Sequence, residues 1–394
     1  MKLSFLTAGL AITMGCLHLS PHTTAQAFAQ TSAINELENT EGVIHSYSLE
    51  EYASELHFPK SMAILPNDTL LIAERDGFVT VITADKSRSR FSLALPELYT
   101  QGQGGLLDLL VIDSETSSGN SANDVSVLVS YSKGSDDSNR LAVVKTTLSL
   151  EQGFGDIHNV YEVNESKDTP VHYGGKLLAL QSGGFLVTTG DGFDYREKAQ
   201  VQNSHLGKVI GFTIDGAPLP NAPFKNSPYI YTLGHRNPQG LVYGADGEIY
   251  QHEHGPDGGD ELNRIELGMN YGWPVVTLGK DYSGANISPF THYKGMQDPL
   301  VNWTPSIAPS SMTLYSQTAF PTLQNTLLVT SLKAKQLFAI ITQTDKFEVH
   351  PVLNSHSASN SLYERLRDVV VDSEGNILVL TDGENSKVMR ISPR

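Results

Sequence analysis

The side chains best suited to moving a proton or holding an anion fall in a few short stretches bounded by glycine or proline. In PVHYGGKLLAL, His172 stands just before a glycine pair and an apolar run. Its imidazole, which exchanges a proton readily near neutral pH, can therefore project from a strand edge. In YTLGHRNPQGL, Arg236 and Asn237 share a loop bounded by Gly and Pro, where a guanidinium suits a carboxylate or an oxyanion. Lys333, in NTLLVTSLKAKQL, and Arg365 and Arg367, in YERLRDVVV, add three more cations. The two arginines lie at strand spacing and so share a side. Each group also has a plain structural reading: one satisfied histidine among thirteen, an arginine bracing a loop, or solvated charge. Taken with Arg236, the late cations make a set able to hold a small ligand with several carboxylates.

HEHGPDGGDE, from His252 to Glu261, packs two histidines and four carboxylates into ten residues. His252 and His254 fit no common zinc spacing. A Gly-Pro step followed by Asp and Gly instead presents carbonyl and carboxylate oxygens, which makes calcium the expected ion and zinc the alternative.

Residues so far apart can meet only if the fold returns the chain repeatedly to one place. Four stretches share a grammar: NDTLLIAERDG from Asn67, SGGFLVTTGDG from Ser182, ADGEIYQHEHG from Ala245 and SEGNILVLTDG from Ser373. Each opens with a turn, runs through about four apolar residues and ends on polar residues and a glycine. Their starts are separated by about two, one and two units of about 60 residues, so about six units fill the chain. Four-stranded units repeated radially cover each other's faces, which predicts an all-β, six-bladed β-propeller whose loops converge on a central channel. The alternative is a two-sheet sandwich, which explains the strands but not their spacing. Asp113 to Asn123 reads as a polar surface loop.

The first residues carry Lys2, then an apolar run from Leu3 to Leu17 and small residues at Ala27 and Ala29. This pattern predicts a secretory signal peptide over residues 1–29, a periplasmic or secreted product and one propeller domain over residues 30–394. Cys16, the sole cysteine, lies in the segment to be removed, so no disulfide is expected. A lipoprotein anchored at Cys16 competes, against a poor lipobox in Thr13-Met14-Gly15. No stretch is long and apolar enough to predict a membrane span. A formal net charge of −16 without a basic cluster argues against nucleic acid and anionic membrane surfaces as partners.

At FPKSMAILPNDTLLIAERDG, GQGGLLD, HYGGKL, TTGDG, SHLGKVI, LGHRNPQGL, EHGPDGGDELN, NYGWPVV, NTLLVTSLK and ERLRDV, in that order, the chain resembles the soluble quinoprotein sugar dehydrogenases of the glucose/sorbosone dehydrogenase family. These are six-bladed propellers that bind pyrroloquinoline quinone (PQQ) over calcium and oxidise the anomeric carbon of an aldose to a lactone. The resemblance implies that His172 is the base. Arg236 would face the reactive quinone carbonyl, with Asn237 beside it. Gln103, Lys333, Arg365 and Arg367 would hold the cofactor's carboxylates and ring oxygens. Gly255 and Pro256 would offer carbonyls to calcium, Asp191 would contact the sugar, and Glu261 with the carbonyl of Tyr271 would form a second, structural calcium site. The implied partners are an aldose and an electron acceptor, a quinone or a cytochrome.

One departure stands out: the glucose-oxidising branch carries an aspartate immediately before the base, whereas this chain has Val171. That puts a glucose preference in doubt and brings the chain nearer to the aldose dehydrogenase branch. Two rivals remain at this level, a calcium-dependent lactonase, which needs no quinone cradle, and a non-catalytic binding propeller.

Overall fold

The computed structural model describes residues 41–112, 124–343, 346–353 and 362–394. The expected signal peptide, Cys16 and the expected loop from Asp113 to Asn123 lie outside the described residues. Among the described residues, no helix is long and apolar enough to cross a membrane.

The described strands form six antiparallel sheets whose strands follow chain order, except where the ring closes. The first blade is typical, with Pro59–Ile64 innermost, then Leu70–Glu74, Phe78–Ile82 and Arg88–Ser92. The innermost strands of the other five are Leu106–Ile112, Gly174–Ala179, Pro238–Tyr243, Pro309–Tyr315 and Leu366–Val371. Each packs against the innermost strands of the blades on either side, which closes a ring of six. The last blade draws Leu366–Val371, Ile377–Thr381 and Ser386–Pro393 from the C-terminal end and completes itself with Tyr47–Leu56. Tyr47 pairs with Pro393, so the two ends of the described fold lock the circle.

Six apolar clusters hold the ring, one between each adjacent pair of blades. The second strands show why. Along Leu70–Glu74, Leu71 and Ala73 face the second blade while Leu70 and Ile72 face the sixth, and every residue is buried. A strand buried on both faces needs an unbroken apolar run rather than alternation. The four repeats read in the sequence are such strands: Leu70–Glu74, Phe185–Thr189, Ile249–Glu253 and Ile377–Thr381. The remaining two blades use Asp124–Ser135 and Thr326–Ser331 in the same place.

Candidate active site

Each innermost strand slips register once against its neighbour: between Pro59 and Ser61, Leu106 and Asp108, Gly174 and Leu177, Pro238 and Gly240, Pro309 and Ser311, and Leu366 and Asp368. Such bulges re-aim a side chain. Here Lys60, Leu107, Lys176, Gln239, Ser310 and Arg367, one from each blade, line a single cavity at the mouth of the channel. Gln103, Asn237, His254 and Arg365 join its wall.

His172 sits directly beside this cavity. The backbone N–H of His172 donates to Gln103 Oε1 at 2.8 Å, and the next two residues, Tyr173 and Gly174, line the wall. The backbone at His172 is left-handed, with φ of 53°, a conformation that costs a residue with a β-carbon about 1–2 kcal/mol. The neighbouring strand accommodates it at Gly190, where a β-carbon would meet the His172 carbonyl oxygen at 2.1 Å.

The imidazole is anchored from below. His172 Nδ1 is 2.7 Å from Asp191 Oδ1, and Asp191 also accepts from the Phe193 N–H at 2.8 Å and from Trp273 Nε1 at 2.8 Å. A carboxylate only accepts, so the proton lies on Nδ1 and Nε2 keeps its lone pair. Burial pushes the His172 pKa down; Asp191 opposes this, and the charges of Arg236 and Lys167 add to it. The ring therefore stays neutral further into the acid range than an ordinary histidine. Asp191, expected to touch the sugar, is fully enclosed, with both oxygens committed. In this structure its contact is with the imidazole.

Arg236 ties the loops together. Its carbonyl accepts from the Asp191 N–H at 2.8 Å, its N–H donates to Glu253 Oε2 at 2.5 Å, and its guanidinium donates to the carbonyls of His254 at 3.1 Å and Gly255 at 2.5 Å. Beside it, Phe193 (43% exposed) and Tyr282 (65% exposed) stack with ring centres 6.4 Å apart. The Phe193 ring also meets His172 edge-on at 5.2 Å.

The late arginines meet as their spacing predicts. Arg365 Nε donates to Asp382 Oδ2 at 2.9 Å, and Arg367 donates to Asp382 Oδ1 from Nε at 2.9 Å and from Nη2 at 2.5 Å. Despite burial, which works the other way, the two guanidiniums hold Asp382 below the usual carboxylate range. Lys176 is matched likewise, with Nζ 3.2 Å from Asp108 Oδ1. Lys333 behaves differently: Leu332 lines the cavity, but Lys333 is exposed and does not.

The expected metal loop is tight and rich in carbonyls. A β-carbon at Gly255 would meet the carbonyl oxygens of Gly258 and Gly259 at 2.3 Å. The crowding leaves no room for a side chain at Gly255, whose carbonyl is taken by the Arg236 guanidinium; exposed backbone carbonyls are the kind of ligand a hard cation uses. No cluster of three or more His, Cys, Asp or Glu able to hold a metal occurs among the described residues. The loop's acidic and histidine side chains are largely committed elsewhere. Asp260 is consumed by the N–H groups of Gly255, Ile307 and Ala308 and by Ser306, while His254 Nε2 donates to the Pro309 carbonyl at 2.8 Å. Glu261 lies opposite Glu253 on adjacent strands; burial first, then the Glu253 charge, raise its pKa to about 8. Nearby, Asn263 Oδ1 is enclosed without a hydrogen-bond partner among the described residues. Tyr271 is buried, stacked on His235 at 4.8 Å, with its hydroxyl donating to the Arg264 carbonyl at 2.6 Å.

The cavity also depends on residues that sequence reasoning passed over: Lys60, Lys176, Gln239, Ser310, Trp273 and Asp382. Asp382 had a signal, since it belongs to the polar tail of SEGNILVLTDG, as Asp191 does in SGGFLVTTGDG.

A closed ring of six blades, with a buried imidazole–carboxylate pair and converging cations beside the entrance to its channel, defines a six-bladed β-propeller with a polar cavity at one mouth. The chain belongs to the glucose/sorbosone dehydrogenase family, whose model matches residues 56–390. It is 31% identical over 357 residues to an aldose sugar dehydrogenase of Escherichia coli, covering 88% of this chain and 93% of that one. It is also 33% identical over 240 residues to quinoprotein glucose dehydrogenase B of Acinetobacter calcoaceticus, covering 46% and 48%. Among solved structures, the apo form of the soluble aldose sugar dehydrogenase from Escherichia coli superposes with a TM-score of 0.80 at 30% identity, over 89% of this chain and all of that one. The PQQ-bound aldose sugar dehydrogenase of Streptomyces coelicolor shares the fold, with a TM-score of 0.69 at 23% identity over 88% and 98%.

Proposed function

We propose that this protein oxidises the anomeric carbon of aldoses to lactones with PQQ and calcium as cofactors. The observation that carries this reading is the single cavity that gathers Lys60, Lys176, Arg365 and Arg367 beside the His172–Asp191 pair. Cations recruited from separate blades, together with the amides of Gln103 and Asn237, match a flat ligand bearing three carboxylates and quinone oxygens. When bound, PQQ supplies the two-electron acceptor for the anomeric C–H.

The chain's own work is electrostatic and acid–base. His172 Nε2 takes the proton of the anomeric hydroxyl, and Asp191 stabilises the imidazolium that forms. Arg236, pinned by the carbonyls of His254 and Gly255 and by Glu253, offers fixed positive charge where negative charge grows. Gly255 and Pro256 would hold the cofactor calcium. Glu261, in its surplus of negative charge, would hold a second calcium with the Tyr271 carbonyl. The exposed Phe193–Tyr282 pair offers an aromatic wall for the apolar face of a sugar ring. Val171 in place of an aspartate supports a broad aldose range over a glucose preference. The N-terminal pattern supports export, with electrons passed to a quinone or a cytochrome.

Reconstitution tests the reading. Dye-linked oxidation across an aldose panel should appear only when PQQ and calcium are both added to the purified protein. Lactone hydrolysis by the protein without PQQ would overturn it in favour of a lactonase.

A further inference from the structure

Three of the six bulge residues that ring the cavity are cations, and two of them are compensated. Arg367 is bound to Asp382 and Lys176 to Asp108. The third, Lys60, has an ammonium that makes no hydrogen bond or ion pair among the described residues, although its side chain lines the cavity and is only partly exposed. The charges acting on it are Arg367 and Arg75, which repel it, and Asp382, which attracts it but has both oxygens on the two arginines. The acidic groups of the adjoining strands are also taken: Glu74 by Arg90 and Thr80, Asp108 by Lys176, and Asp368 by the N–H groups of Met62 and Val369. A half-enclosed ammonium without a counter-charge is costly to keep unless an anion completes it.

We propose that Lys60 is a carboxylate-binding residue of this cavity and that it takes up a proton when the anionic cofactor enters; this rests on reading the cavity as the seat of PQQ. The electrostatics support it. Burial, followed by the Arg367 charge, lowers the Lys60 pKa to about 7, so a large share of the empty protein holds it neutral at physiological pH. An incoming carboxylate favours the charged form and draws a proton from solvent. A guanidinium keeps its charge across this range, and Lys176 is held charged: burial alone would lower its pKa, but Asp108 raises it above the ordinary lysine value. Lys60 is then the wall cation whose charge changes near neutrality.

The test is a fluorescence titration of PQQ into the full-length, calcium-loaded protein at several values between about pH 6 and 9, on the parent, Lys60→Met and Lys60→Arg. The parent should lose affinity as pH rises above about 7, by up to about tenfold per pH unit. Lys60→Met, which keeps the apolar stem, should bind at least about tenfold more weakly at the acid end and lose that slope. Lys60→Arg should bind tightly with the slope also gone, which separates loss of charge from loss of fold. Equal affinity and an unchanged slope in Lys60→Met overturn the proposal while leaving the PQQ reading intact. If the parent itself binds no PQQ, the cofactor reading fails and the proposal falls with it.

Discussion

His172 and Asp191 are joined at 2.7 Å between Nδ1 and Oδ1, and the second Asp191 oxygen is fixed by Trp273 Nε1 at 2.8 Å. The indole is a donor with no alternative tautomer, so it holds the carboxylate in one orientation, and the carboxylate in turn holds the imidazole with its lone pair on Nε2. Asp191→Asn offers the ring an amide that can present either end. Turnover should fall by about 10²–10⁴-fold while PQQ still binds. His172→Ala should do at least as much. Unchanged turnover at saturating PQQ in either variant removes that residue from the acid–base role.

The same environment sets the pH profile. Burial pulls the His172 pKa down while Asp191 pushes it up, and the net direction is below the ordinary value of 6.5. A base must be neutral to accept a proton, so kcat/KM should rise with pH through an inflection below 6.5 and then level off. Asp191→Asn removes the opposing charge and should move the inflection further toward acid. Steady-state rates at saturating PQQ measure both, and an inflection above that of free histidine would contradict the burial of the ring.

Much of this was legible in the sequence, and the reason is physical. Second strands buried on both faces must be apolar runs, and their polar ends must emerge where the blades open, so the repeat announced both the architecture and the level of the site. Asp191, His254 and Asp382 all stand on those ends. The bulges were not legible, because a one-residue register slip leaves no mark in composition; Lys60, Lys176, Gln239 and Ser310 therefore read as ordinary strand residues. The enclosure of Asp191 was not legible either, since no spacing rule shows that Trp273, 82 positions away, fixes its second oxygen. Lys333 was grouped with the arginines by its charge and by the resemblance at NTLLVTSLK; the turn after Thr326–Ser331 leaves it exposed.

Asp382 clamps two arginines, and on the proposed reading it would act on the cofactor through them. Removing its charge frees both guanidiniums, which then lose orientation and are left facing Lys60. Asp382→Asn should weaken PQQ binding, and Arg367→Ala should weaken it further, by about 2–5 kcal/mol for loss of one member of an enclosed charge pair. Equilibrium titration with PQQ at fixed calcium measures this, with circular dichroism to establish folding. Should Asp382→Asn bind as the parent does, the clamp is structural only.

On the same reading, the clamp would link cofactor binding to the closure of the ring. Asp382 directly follows Ile377–Thr381, whose Leu378 and Leu380 pack with Leu56, Met62, Leu70 and Ile72 in the cluster joining the sixth blade to the first. Leu380→Ala opens a void there and should cost about 2–5 kcal/mol in urea unfolding. Because the strand that loosens ends on Asp382, the variant should also bind PQQ more weakly. Leu128→Ala, equally buried between the second and third blades, should cost a similar amount without changing PQQ affinity. If both variants lose stability and neither loses affinity, the cavity is insulated from the seam, and the arginines owe their placement to their own blade alone.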